Sequence, residues 1–274
     1  MVTPHRKSLL GRLALQASVL VVLLVLWAAA SGLGIVSPLY LPGPAAVWDA
    51  FVNANTCRPI AAGSSRIVCG EQGYFMWEHL LSSLGRMGIG LGAALVVGPI
   101  LGLLMGINPW VRTAVEPYLN FLRALPPLGY IGLVIIWFGI GDQSKWLLLF
   151  LAAFPPITIA TISGITSVKA DQVHAAESLG GNRAHVTCFV LLPSVLPELL
   201  SGIRIAAGFA WTTVVAAELN NGLPGIGALA YVSGQQLNSA LVIACILVIG
   251  ISAVILDSIF VWLRRVLVPW QGRS

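Results

Sequence analysis

Residues 174 to 193, HAAESLGGNRAHVTCFVLLP, concentrate polar and titratable groups between two apolar stretches. His174, Glu177, Arg183 and His185 fall in that window, and few other groups in the chain are placed to do chemistry. The four histidines, His5, His79, His174 and His185, lie outside the apolar runs, and no HExxH, GxSxG or CxxC spacing accompanies them. Neither a zinc hydrolase nor a nucleophile elbow is therefore supported. The chain also lacks a GxxxxGK[ST] loop, and none of its three lysines follows a glycine, so it cannot cradle ATP itself. Any energy must come from a partner or an ion gradient. An ion-driven carrier would carry paired carboxylates inside its spans, and the candidates are Glu218 and Asp257. Glu218, between WTTVVAA and LNNGLPGIG, reads first as a helix-end carboxylate, with a pathway role as the alternative. Asp257, two turns before Arg264 and Arg265, reads as a helix-packing or interface charge.

The elements that hold these groups are oily. Of 274 residues 57% are hydrophobic and 9% charged, against about 25% charged in a soluble domain, and the mean hydropathy is +0.90. Several apolar runs exceed the roughly 20 residues that cross about 30 Å of hydrocarbon. This composition excludes an ordinary soluble domain and predicts an all-α polytopic membrane protein. The net charge of +5 reads as membrane orientation, not nucleic-acid binding, because the basic residues sit beside apolar spans.

Six spans are expected: Ala14–Leu33, Met87–Ile107, a Pro-interrupted Tyr118–Ile140, Trp146–Thr166, Leu196–Leu219 and Ala240–Leu263. The first is longer than the apolar core of a signal peptide and lacks a small-x-small cleavage site before SPLYLPGP, so it reads as a retained span. Arg6, Lys7, Arg12, Arg112, Lys169, Arg183, Arg264, Arg265 and Arg273 fall on one side, and Arg58, Arg66 and Lys145 on the other. Both termini are then cytoplasmic. Arg86, Arg123 and Arg204 lie inside or against spans, where snorkelling to the interface is the expectation.

Gly90, Ala94, Gly98, Gly102 and Gly106 repeat every four residues, which gives the second span a face that another helix can approach closely. Static packing is the preferred reading of that face, and sliding during transport the alternative. Pro126–Pro127 and Pro155–Pro156 should break or kink the third and fourth spans. Such breaks fit either ordinary kinks or a water-lined path. Cys57 and Cys69 share an outside segment, where an oxidising compartment permits a disulfide but does not require one. Cys188 and Cys245 read as small buried hydrophobes. In the polar island a short helix should end at Gly180–Gly181, and Pro193 should break the amphipathic stretch that follows. Helix, turn, helix at a membrane surface suits docking into another protein or a plain connector equally.

Ala175-Ala176, three residues, Gly180, nine residues, Val190, one residue, Leu192-Pro193 closely resembles the EAA loop of ATP-binding-cassette importer permeases. The loop departs from that pattern at His174, where the family carries glutamate. The resemblance extends through SPLYLPGP (37–44), HLLSSLGRMGIGLG (79–92), RALPPLGYIGLVIIWFGIGDQSK (123–145), AAESLGGNRAHV (175–186), LPELLSGIRIAAGFAWTTVVAAEL (196–219) and RRVLVPWQG (264–272). Within the family the chain is similar to the branch that moves taurine, alkanesulfonates and nitrate. Its IWFGIG, AAEL and closing PW-x-G segments resemble the taurine members most, whereas residues 52 to 73 do not match.

The resemblance implies a type I permease subunit with about six transmembrane helices. Its parts would be a cytoplasmic N-terminus and leading helix (1–34), a periplasmic segment (35–80), and a five-helix core (81–274) with a coupling loop at about 169–195. It implies import of a small anion, taurine or another alkanesulfonate, across a bacterial inner membrane by alternating access. A permease for nitrate, bicarbonate or another small solute is the alternative, and an ion-driven carrier or integral membrane enzyme the second. The implied partners are two cytoplasmic ATPases that use ATP and magnesium, a second permease copy, a periplasmic substrate-binding protein and membrane lipid. No cofactor, metal, catalytic residue or nucleic acid is expected on this chain. By motif match Ala175, Ala176, Gly180 and Pro193 shape the coupling loop, with His174, Glu177, Arg183 and His185 as polar contacts to the ATPase. Pro126, Pro127, Trp211, Thr212 and Glu218 are the candidates for the translocation pathway, because breaks and polar groups in apolar helices must face something other than lipid.

Overall fold

A backbone in hydrocarbon must satisfy its own hydrogen bonds, so the long apolar runs fold as helices. The computed structural model describes residues 5–59 and 65–269. Trp270, Gly272 and Arg273, together with the side chains of Arg6, Lys7, Arg12 and Arg183, lie outside the described residues. The order is α1 (His5–Gly32), α2 (Pro44–Asn53), β1 (Cys57–Pro59), β2 (Ile67–Cys69), α3 (Met76–Ile107) and α4 (Pro109–Ala124). After a 3-10 turn at Pro127–Tyr130 come α5 (Ile131–Phe138), α6 (Asp142–Thr166), α7 (Ala170–Ser178) and α8 (Arg183–Val186). A π turn at Thr187–Leu191 leads into α9 (Leu192–Glu218), then α10 (Ile226–Gln235) and α11 (Ser239–Leu267). Among the described residues five helices are long and apolar enough to cross a membrane, or six if α4 and the segment Pro127–Phe138 form one broken span.

That broken pair is the expected third span, and it bends by 96°. Leu125 ends α4 in extended conformation, φ −77° and ψ 124°, as the residue before a proline prefers, and Pro126 and Pro127 supply no N–H to continue the ladder. Of the two outcomes expected at Pro155 and Pro156, a break does not occur. Helix α6 runs through both without interruption, held by the helices packed along it.

The chain forms two compact units, Met1–Trp77 with Leu229–Leu247, and Glu78–Ala228 with Val248–Ser274. In the first, the Trp27 indole donates to the Pro42 carbonyl at 3.0 Å, tying α1 to the segment that leads into α2. Strands β1 and β2 pair antiparallel with Cys57 opposite Cys69, and a disulfide joins the two cysteines. Arg58 and Glu71 form an ion pair at 2.6 Å beside them.

In the second unit α6 is the central helix. The small-residue face of α3 lies against it: a Cβ built at Gly98 would fall 2.8 Å from Ile157 Cγ2, and one at Gly102 would fall 2.5 Å from Thr161 Cβ. Ala94, Ala153, Ile157, Ala206 and Ala207 join α3, α6 and α9 in one buried cluster. Lipid is as apolar as these side chains, so close van der Waals approach holds the helices together, and small residues permit it.

Candidate functional site

The polar island folds as α7, a turn and α8. Gly180 has φ +85°, a left-handed conformation that costs L side chains. The N–H groups of Gly180 and Gly181 donate to the carbonyls of Glu177 and Ala176 at 2.9 and 3.0 Å, closing the end of α7. Asn182 then caps α8, its Oδ1 accepting from the His185 N–H at 2.9 Å. Pro193 does not break the stretch, contrary to the sequence expectation. It sits in the first turn of α9 behind the π turn, where the missing N–H costs no α-helical hydrogen bond.

On this loop His174 Nδ1 lies 3.5 Å from Glu177 Oε2, with both side chains exposed. The His185 ring stacks on Phe189 at 6.0 Å between centroids. Leu179 and Phe189 are 89% and 76% exposed. Two large apolar side chains exposed beside charged and polar ones make a surface suited to contact with a protein or with the membrane. Sequence reading passed over both, although their place next to Gly180 and two residues before Leu191 was visible.

A second group of polar residues gathers where the N-terminal ends of α3 and α6 meet the C-terminal end of α9. Arg86 Nη1 donates to Glu218 Oε1 at 2.7 Å and to the carbonyls of Gly222 and Pro224 at 3.0 and 2.8 Å. Its Nε donates to Asp142 Oδ1 at 2.8 Å. The Ser83 hydroxyl donates to Glu218 at 2.7 Å and accepts from the Ile226 N–H at 2.9 Å. The Gly227 N–H reaches the other carboxylate oxygen at 2.9 Å, and the Gly225 N–H donates to His79 Nδ1 at 3.0 Å. Lys145 reaches the Asn221 carbonyl at 3.1 Å. Glycine is required here: a Cβ at Gly225 would fall 2.6 Å from Glu218 Cδ.

Glu218 is fully buried and Arg86 only 6% exposed. One sequence expectation is thereby corrected, and Glu218 keeps its first reading as the carboxylate that ends α9. Arg86 does not snorkel, because Glu218 and two carbonyls satisfy it inside the protein. Glu218 does not line an open path, because the glycine-rich segment 222–227 folds over it. The closed cluster pins that segment to the helices, and a water-excluded, fully paired carboxylate offers no free acid or base.

The other pathway candidates separate. Trp211 is buried between Met87, Leu149 and Val214, away from any open wall, because its indole completes the α3–α6–α9 core. Thr212 is exposed on α9, its hydroxyl donating to the Phe209 carbonyl at 2.9 Å. Pro126 and Pro127 line an open pocket of about 280 Å³ with Arg123, Leu151, Ala152 and Phe209. Arg204 likewise does not snorkel: it forms a two-pronged ion pair with Asp257, Nη2 to Oδ2 at 2.7 Å. Arg204 lies 12 residues into α9, about 18 Å along its axis, too deep for easy escape to the interface. Asp257 therefore answers Arg204 rather than Arg264 or Arg265. Among the described residues no group of three or more His, Cys, Asp or Glu is placed to hold a metal ion.

Comparison with known proteins gives the family and the fold. Residues 94–272 match the family of binding-protein-dependent transport system inner membrane components. The chain is 38% identical over 270 residues, 97% of its length and 93% of the relative's, to the taurine transport system permease protein TauC of Escherichia coli (strain K12). It is 32% identical to the putative aliphatic sulfonates transport permease protein SsuC of Bacillus subtilis (strain 168), over 92% of this chain and 85% of that one. The fold matches inward-facing structures of the MetNI methionine ABC transporter with a TM-score of 0.62 at 19% identity, covering 70% of this chain and 95% of that one. The chain belongs to the family of binding-protein-dependent transport system inner membrane components.

Proposed function

We propose that the chain is the membrane-spanning subunit of an ATP-driven importer, and that its cargo is taurine or a related short alkanesulfonate. The observation that carries the importer reading is the surface loop of α7 and α8, with its glycine turn and its exposed Leu179 and Phe189. The relatives' substrates support the cargo.

In this reading α7 seats in a groove of a separate ATPase subunit, two of which serve a pair of permease chains. Ala175, Ala176, Gly180 and Pro193 shape the loop, and His174, Glu177, Arg183 and His185 meet the ATPase with polar groups. ATP and magnesium are handled by those subunits and hydrolysis takes place there. Closure of the ATPases pushes the loops and tilts the bundles between inward-open and outward-open states. Both termini lie in the cytoplasm of a bacterial cell. The Arg86–Glu218 cluster and the disulfide hairpin then lie outside, where a periplasmic binding protein delivers the cargo. Pro126, Pro127 and Thr212 stay on the proposed pathway, whereas Trp211 and Glu218 support it from behind.

The test is reconstitution of the chain with its ATPase in proteoliposomes, binding protein outside and ATP inside. Taurine should accumulate only when ATP and binding protein are both present. Accumulation driven by an ion gradient without the ATPase would overturn the reading.

A further inference from the structure

The open pocket at the break between α4 and α5 combines three features that the fold alone does not require. The first is a free cation. Arg123 ends α4 and lines the pocket, and among the described residues no carboxylate lies within ion-pair reach of it. Three other arginines of the same unit behave differently: Arg86 meets Glu218 and Asp142, Arg112 meets Glu116 at 3.2 Å, and Arg204 meets Asp257. An ionisable side chain within a membrane segment and without a counter-charge marks a solute path.

The second feature is on the opposite wall. Pro155 and Pro156 sit within continuous helix α6, and neither ring has an N–H to give to the carbonyls four residues earlier. Those carbonyls belong to Leu151 and Ala152, which line the pocket together with the two prolines. Freed acceptors at membrane depth persist where they line a wet cavity. The third feature is size and continuity. At about 280 Å³ the pocket falls just below the roughly 300–1,000 Å³ of drug-sized ligand sites, a size for a small solute. Arg123 also borders a second cavity of about 220 Å³, whose wall runs to Ser163 and Thr166 at the far end of α6.

From these we infer that the pocket between Arg123 and the freed carbonyls of Leu151 and Ala152 is a transit site for a short aminoalkanesulfonate zwitterion. The guanidinium takes the sulfonate oxygens with its fork of donors, and the Leu151 and Ala152 carbonyls take the ammonium group. Phe209 and the rings of Pro126 and Pro127 cover the short carbon chain. This inference rests on the importer reading and adds a selection step inside the membrane that prefers a zwitterion to a simple anion.

The experiment places a cysteine in the wall, Ala152→Cys, in a chain whose Cys188 and Cys245 are replaced by serine, and follows maleimide labelling in the purified permease–ATPase assembly. Taurine should slow labelling several-fold, isethionate, which has a hydroxyl in place of the amine, should slow it less, and Arg123→Gln should abolish the protection. In proteoliposomes Arg123→Gln should lower taurine uptake at least tenfold and Arg123→Lys should restore part of it. Labelling indifferent to taurine with Arg123 intact, or wild-type uptake by Arg123→Gln, overturns the transit site while leaving the importer reading standing. Absence of ATP-dependent taurine uptake by the wild-type assembly strikes the importer reading itself, and taurine protection in the same sample still decides the pocket.

Discussion

Arg86 on α3 and Glu218 at the end of α9 meet at 2.7 Å although 132 residues separate them in the chain. Removing one member of a buried, hydrogen-bonded ion pair leaves the other charge uncompensated, at a cost of about 3–5 kcal/mol. Arg86→Gln and Glu218→Gln should each lower the thermal unfolding midpoint of the detergent-purified chain markedly. The double variant should lose much less than the sum of the two, because residues in contact couple. Additive losses would show that the two side chains do not depend on each other.

Gly180 carries φ +85° with open space around it, so a substituent there is disfavoured by backbone conformation and not by crowding. Gly180→Val should cost roughly 1–2 kcal/mol locally and misplace α7. ATP-dependent uptake should fall to background while the chain still inserts in the membrane at wild-type levels. Uptake equal to wild type would remove the turn from the mechanism.

The glycine face of α3 leaves no room at Gly102, where the nearest Thr161 atoms and the Thr158 carbonyl surround the missing Cβ. Gly102→Leu should destabilise the bundle by at least about 1–3 kcal/mol, the range for overpacked cores. Gly92, with open space around it, should accept alanine with little change. Unfolding in detergent separates the two, and equal effects would contradict the packing described for α3 and α6.

Orientation has its own reporters. The disulfide between Cys57 and Cys69 lies in one loop region, and Cys188 is exposed beside the polar island. A membrane-impermeant maleimide on intact spheroplasts should label the hairpin cysteines only after reduction, and Cys188 only after the membrane is opened. Labelling of Cys188 from outside would invert the topology.

The helices and the loop turn are legible in the sequence because their signals are local: long uncharged runs, and a glycine pair closing a short polar helix. Helix α3 begins at Met76, not at Met87 as hydropathy indicates, because His79, Ser83 and Arg86 find partners in the segment 218–227. No local periodicity reports a contact between residues so far apart. The same reason explains Arg204 and Asp257, which the sequence reads separately, one as a snorkelling side chain and the other as a helix-packing or interface charge, and not as partners. Pro193 and the Pro155–Pro156 pair were legible as missing donors but not as tolerated ones, since tolerance depends on a π turn in one case and on flanking helices in the other. The pocket at Pro126–Pro127 was visible only as a break, and the arginine facing it only as a charge near a span end.

The central claim is that the loop from His174 to Pro193 is the place where a separate ATPase grips this chain. Leu179→Cys, paired by a bifunctional thiol reagent with single cysteines along the ATPase groove in native membranes, measures that contact directly. The account predicts a cross-linked product of the two subunits whose yield changes between the nucleotide-free and nucleotide-trapped states. No product at any groove position, with the cysteine at 179 reacting freely from the external side of intact cells, would contradict it.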